Sequence, residues 1–250
     1  MANNKNHKKL EEAVRLEPHK PRGSSLKDVI LGGQDGLVNV LGILLGIASA
    51  TNNIAIVIIA GLVATFAESI SMAAVAYTSS QAAKSFYDSE LAREMQEVEQ
   101  VPEIERQEIR DIFAGWGFRG KTLEEATRHI VSDKKRWVDF MMAEELRMFP
   151  DDYANPIRNA AVVGISATIG SLIPLAPFLL FPVKEAIIVT LALSTAVLFA
   201  VGAYKAKTTV GSWLWSGIEL ALIGMAAALV GYGIGAVIGN FFGINASVVG

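Results

Sequence analysis

Residues 36 to 67 contain no Asp, Glu, Lys or Arg, and neither do 159 to 183, 186 to 204 or 220 to 250. A bilayer's hydrocarbon core is ~30 Å thick and takes ~20 helical residues to cross, so runs of this length predict membrane spans. Lipid offers no hydrogen bonds to the backbone, which restricts an uncharged spanning segment to the helix or the closed barrel. The runs are too long and too uniformly apolar for barrel strands. A shorter run, 208 to 218, joins the last one across Glu219. Charges crowd instead into residues 1–28 and 84–158. The pattern predicts an all-α integral membrane protein with five transmembrane helices and a helical insert between the second and third.

The spans are expected at about 27–50, 54–77, 159–181, 186–204 and 210–239. Thr51-Asn52-Asn53 forms the first turn, Phe181-Pro182 another, and Lys205-Ala206-Lys207 a short loop; Pro174 and Pro177 fall near the far end of the third span. The chain then divides into an N-terminal tail (1–26), spans one and two (27–83), the insert (84–155), spans three to five (156–240) and a C-terminal tail (241–250). Leu10 to Leu16 could form a short surface helix in the tail. The first apolar run follows a polar, basic tail without an evident cleavage site and reads as a retained span.

Lysine and arginine fix the expected orientation. With the N-terminus in the cytosol, 21 of 22 lie on the inner side and Lys184 alone lies outside. The insert is then cytosolic. No Pro or Gly interrupts residues 62 to 101, so one helix can leave the membrane and continue into the insert. Within the insert, helices are expected at 84–101, 102–114, 123–131 and 133–149. Pro102 suits a first turn, Ser132 a cap, and Gly115, Gly117 and Gly120 a loop.

Three carboxylates stand within the spans: Asp35, Glu68 and Glu219. Burying an acid in lipid is costly, which makes such residues candidates for a substrate path. Asp35 lies about seven residues, or ~10 Å, from the inner end of the first span. Met72 lies at a similar depth on the returning helix, with Glu68 one turn deeper on the same face. Asp35, Glu68 and Met72 therefore form a candidate ion path. The competing structural reading pairs Asp35 with Asn39 or a backbone group and leaves Met72 as filler. Gly32, Gly33 and Gly36 around Asp35 allow either a close backbone approach or a local break in the helix.

From Ser85 to Tyr153 there are 17 acidic against 10 basic residues. Glu94 and Glu97 share a helix face, as do Glu105 and Glu108, and the Pro102 turn lets the two faces meet. Met141 and Met142 precede Glu145 by about one turn. Oxygen donors mixed with soft thioethers suit a transition metal such as Fe²⁺ better than Mg²⁺ or Ca²⁺. A solvated charged face and ordinary core methionines are the alternative. There is no cysteine, so thiolate sites and disulfides are excluded, and no P-loop sequence that would couple transport to a nucleotide.

These residues resemble the vacuolar iron transporter family, including its yeast-type and prokaryotic members. The resemblance rests on Asp35-Gly36-Leu37, Ile70-Ser71-Met72, the glutamate pairs 94/97 and 105/108, Phe140-Met141-Met142 with Glu145, and Ile173-Pro174-Leu175-Ala176-Pro177. It covers about residues 27–240. It implies a homodimeric five-span carrier that exchanges cytosolic Fe²⁺ for protons, with Mn²⁺, Co²⁺ and Zn²⁺ as further candidates. Asp35 and Met72 would lie on the path, and Glu94, Glu97, Glu105, Glu108, Glu145, Met141 and Met142 would form a cytosolic metal-binding domain. No resident cofactor, enzymatic role or nucleic-acid partner is expected. The membrane would be the plasma membrane of a prokaryote or the vacuolar membrane of a eukaryote. The chain departs from the plant-type pattern at Ala64, where that pattern carries a glutamate eight residues before the methionine; Glu68 is the nearest carboxylate that can stand in. A membrane-anchored iron sensor, or a di-iron or iron-storage protein, is the alternative. The Glu-x-x-His spacing usual in di-iron sites is missing around His129.

Overall fold

The computed structural model describes residues 23–153, 155–208 and 211–243. Among the described residues, eight α-helices and one 3₁₀ turn follow in order: α1 (Gly23–Thr51), α2 (Ile54–Gln100), α3 (Pro102–Gly115), α4 (Gly120–Val131), α5 (Lys134–Glu144), the 3₁₀ turn Pro150–Tyr153, α6 (Pro156–Leu180), α7 (Val183–Thr208) and α8 (Trp213–Phe241). Five of them (α1, α2, α6, α7, α8) are long and apolar enough to cross a membrane. The expected tail helix at 10–16 and the ends of both tails lie outside the described residues.

Helix α2 is continuous over 47 residues, about 70 Å, and carries the chain from the apolar bundle into the insert. It starts where Asn52 takes a left-handed turn (φ 45°) and the Asn53 side chain accepts from the N–H groups of Ala55 and Ile56. It ends at Val101, because Pro102 supplies no N–H and disfavours helical geometry in the residue before it. One non-helical residue thus turns the chain, and α3 begins at once.

Helix α1 is the centre of the bundle and packs against α2, α6, α7 and α8. Leu37, Val40, Leu41, Leu44 and Leu45 are fully buried with Val57, Leu175, Phe178 and Leu198. Glycines set its spacing. A Cβ on Gly32 or Gly36 would strike the carbonyls of Val163 or Ala167 on α6. Of the two expectations for this glycine cluster, close approach is the one realised, and the helix runs through it unbroken. Gly231 and Gly235 of α8 meet the carbonyls of Gly42 and Gly46, so α1 and α8 pack backbone to backbone within the chain. Gly224 turns instead toward Leu198 of α7, with Val38 at its margin. Pro174 and Pro177 are accommodated inside α6, where Thr190 of α7 donates to the Pro174 carbonyl at 3.0 Å.

The insert has its own core of Val98, Ile109, Phe113, Leu123, Trp137, Val138, Met141 and Met142. Val98 belongs to α2, so the long helix is itself one wall of the insert. Several boundaries differ from expectation, and α4 already begins at Gly120, a glycine expected in the loop, instead of at 123. Asp133, not Ser132, caps α5 by accepting from the Arg136 N–H at 2.8 Å. α5 ends at Glu144 instead of 149, because Leu146 and Met148 turn their N–H groups back to Met141 and Met142 and Arg147 adopts φ 57°. Lys205-Ala206-Lys207 is not a loop but the last turn of α7, where lysines complement the exposed carbonyls.

Candidate metal path and glutamate cluster

The span residues singled out from the sequence meet. Asp35 of α1 and Glu68 and Met72 of α2 line one cavity of 570 Å³, a vestibule closed on its third side by Asn159 and Val163 of α6. Lys27, Asp28, Ser79 and Ser80 rim the end from which α2 continues into the insert. Asn159 donates to the Ser80 hydroxyl at 3.2 Å, joining α6 to α2 at that rim. The vestibule contains carboxylate, hydroxyl, amide and thioether groups within an otherwise apolar bundle. Such a set can replace part of a cation's hydration shell.

The hydrogen bonding differs from the structural reading of Asp35. Asn39 does not serve Asp35; its Nδ2 donates to Glu68 Oε1 at 3.0 Å, across from α1 to α2. Ala64, the position lacking a glutamate, packs against the apolar core. Glu219 is exposed on α8 and lines no part of the vestibule. The rim residues Lys27, Asp28, Ser80 and Asn159 were not singled out from the sequence. Their signal was their position at the insert-side ends of spans one, two and three, which is too common a feature to be selective.

The second cluster lies where α2 gives way to α3. Carboxylate oxygens of Glu94, Glu97 and Glu105 approach within 4.8 Å of one another. Glu94 is 1% exposed and Glu105 3%, and each has one buried oxygen, Oε2, without a hydrogen-bond partner among the described residues. Buried carboxylate oxygens are normally satisfied, and leaving them bare is costly. The site is thus short of positive charge. Arg93 supplies only part of it, bridging Glu90 at 2.8 Å while standing 3.6 Å from Glu94 and 3.8 Å from Glu97.

The protonation equilibria express the same deficit. Burial, then repulsion from Glu108 and Glu94, raises the Glu105 carboxyl to about 7. Burial and the charges of Glu108 and Glu94 raise Glu145 likewise to about 7, with Arg93 opposing. Glu94 is raised by burial and by Glu97, again with Arg93 opposing. Glu108 and Glu145 therefore face the same electrostatic site as the other three glutamates. A divalent cation would relieve both the bare oxygens and the repulsion, and hard oxygen donors fit it. Met141 and Met142 are buried in the apolar core of the insert, one turn before Glu145. Their packing with Ile109, Phe113 and Trp137 accounts for their burial without a metal.

Residues 26–236 match the VIT family over most of the chain. The chain belongs to the VIT family. Among its relatives, a vacuolar iron transporter from Centaurea cyanus is 28% identical over 87% of this chain and 89% of its own length. Vacuolar iron transporter 1 from Eucalyptus grandis is 29% identical over 93% of this chain and 96% of its own. The vacuolar iron transporter of Toxoplasma gondii is 30% identical over 88% of this chain and 76% of its own. The VIT match spans both the vestibule helices and the glutamate-rich insert.

Proposed function

We propose that this VIT-family membrane protein is a carrier, not an enzyme, that moves Fe²⁺ out of the cytosol in exchange for protons. The observation that carries the proposal is the convergence of Asp35, Glu68 and Met72 in one vestibule that opens toward the insert. Relatives named as iron transporters supply the substrate, and a thioether beside carboxylates suits Fe²⁺ better than a hard cation. Mn²⁺, Co²⁺ and Zn²⁺ are candidates for the same reason.

The positive-inside distribution supports a cytosolic insert. There Glu94, Glu97, Glu105, Glu108 and Glu145 collect the ion, with Met141 and Met142 available as thioether donors from the insert's core. In low dielectric an empty carboxylate site favours the protonated state and an arriving cation the ionised one, so metal entry expels protons. This linkage is the physical basis for antiport.

A homodimer follows from the same face. Asn39 is exposed and Asp35 and Glu68 are half-buried, beside exposed Ile43, Val63, Phe66 and Ile70. Polar groups facing hydrocarbon are costly, and a second copy covering this face would remove the cost. An anchored sensor or iron store would use the glutamate cluster but has no use for acids within the spans.

The test is Fe²⁺ uptake into proteoliposomes under an imposed proton gradient. Uptake is expected to require the gradient and to fall at least about tenfold in Asp35→Ala, since losing even a group that only supports a metal ligand costs about that much. Undiminished uptake by Asp35→Ala would remove the vestibule from the path.

A further inference from the structure

Leu26, Ile30, Gly33 and Leu37 recur at helical spacing on α1 and share one face. That face is the far side of the helix from Leu31 and Asp35, which line the vestibule. A Cβ on Gly170 of α6 would strike the Gly33 carbonyl, so α1 and α6 touch backbone to backbone here and leave a floor without side chains. Val197, Ala200 and Tyr204 of α7 stand over this contact as one wall of a groove of 430 Å³. Apart from Gln34, Ser166 and the Tyr204 hydroxyl, the lining is apolar.

The groove follows α1 from Leu26 to Leu37, ~16 Å of helix. One leaflet supplies half of the ~30 Å hydrocarbon core, so the groove is as long as one leaflet is deep. Its insert-side end is marked twice. Tyr204, Trp213 and Trp215 are exposed at the insert-side ends of α7 and α8, and aromatic residues of this kind sit at headgroup level. One turn beyond Tyr204, Lys207 continues the row Val197, Ala200, Tyr204; it is exposed and forms no ion pair among the described residues. We propose that this groove holds one acyl chain of an anionic phospholipid from the insert-side leaflet, with Lys207 and the Tyr204 hydroxyl facing its phosphate. An apolar slot one leaflet deep, open to hydrocarbon and ending at a cation, matches a lipid in both length and charge. A second copy seated on the Asp35 face leaves this opposite side of α1 open to lipid. The site needs only the membrane spans and stands apart from the transport reading.

Native mass spectrometry of the full-length protein tests the site, in neutral detergent with equal amounts of palmitoyl-oleoyl phosphatidylglycerol and phosphatidylcholine. One phosphatidylglycerol per chain is expected to be retained, about fivefold over phosphatidylcholine, the weight of one lysine near an anionic surface. Lys207→Gln is expected to bring the two lipids level. Ala200→Trp fills the groove from α7 and Ile169→Trp from α6, both at exposed positions that a larger side chain can occupy without entering the core. Either variant is expected to lose the retained lipid. Ile188→Trp, equally exposed on α7 but outside the groove, is expected to keep it. Equal retention in Ala200→Trp, Ile169→Trp and Ile188→Trp overturns the site, as does equal retention of the two lipids by the unaltered protein. A change of oligomer mass instead of lipid mass in the groove variants assigns the groove to a second copy and also overturns it.

Discussion

Glu94 and Glu105 face each other across a one-residue break in the helix, and each carries a buried carboxylate oxygen that no group among the described residues satisfies. The break at Val101 makes this pairing possible, since a continuous helix would hold residues 94 and 105 three turns apart along its axis. A cluster built this way repels itself, and a counter-ion would relieve that repulsion.

Metal binding to the insert is expected to release protons at pH 6 and almost none at pH 8. Glu105 and Glu145 titrate at about 7, so both are mostly protonated at the lower pH and ionised at the higher one. Binding should release up to about two protons per ion at pH 6. Calorimetry in buffers of different ionisation enthalpy measures the count, and a pH-independent count near zero contradicts the assignment.

Stability without metal should fall as pH rises. A carboxyl raised from 4.5 to about 7 favours the folded state fully below pH 4.5, and that advantage is lost as pH climbs through 7. Hydrogen exchange of α3 and α5 in the full-length protein should therefore be faster at pH 8 than at pH 6. Saturating metal should erase the difference.

Glu105→Gln removes one buried charge at nearly constant volume. It is expected to stabilise the metal-free insert at pH 8 by roughly 1–3 kcal/mol while weakening its metal binding at least about tenfold. Opposite signs for stability and affinity separate a functional acid from a structural one. Loss of both would make Glu105 a structural residue.

The α1–α8 contact tolerates no side chain. Gly235→Val is expected to cost more than ~3 kcal/mol, because its Cβ would meet the Gly46 carbonyl and the Ser49 hydroxyl. Gly233→Ala, two residues away with open space around it, should leave the melting temperature unchanged or slightly higher. Thermal unfolding in detergent compares the two variants.

Thr190→Val should lower stability by ~1 kcal/mol, since it removes the hydrogen bond that ties α7 to the Pro174 carbonyl of α6. The same thermal measurement applies, and an unchanged midpoint would make this bond dispensable.

Much of the architecture was legible in the residues. Charge-free runs located the five spans, and the stretch from 62 to 101 without Pro or Gly foretold the single long helix α2. Depth counting along two antiparallel helices correctly brought Asp35, Glu68 and Met72 to one level. Of the i,i+3 glutamate pairs around Pro102, Glu94 and Glu97 met Glu105, because local helical periodicity and one proline determine that geometry. End effects were less legible. The cap at Asp133, the early end of α5 at Glu144 and the helical state of Lys205 to Lys207 turn on single hydrogen bonds or one dihedral angle, which composition does not encode.

Sequence alone determined which segments are long and apolar enough to span a membrane, what is acidic, and which polar residues share a helix face, since these follow from transfer free energies and helical period. Tertiary structure decided the partners. It gave Asn39 to Glu68 instead of Asp35, turned the glycines of α1 and α8 into a contact within the chain, and left two glutamate oxygens bare. Each outcome depends on how far apart two helix backbones lie, and that distance is set jointly by all the side chains between them.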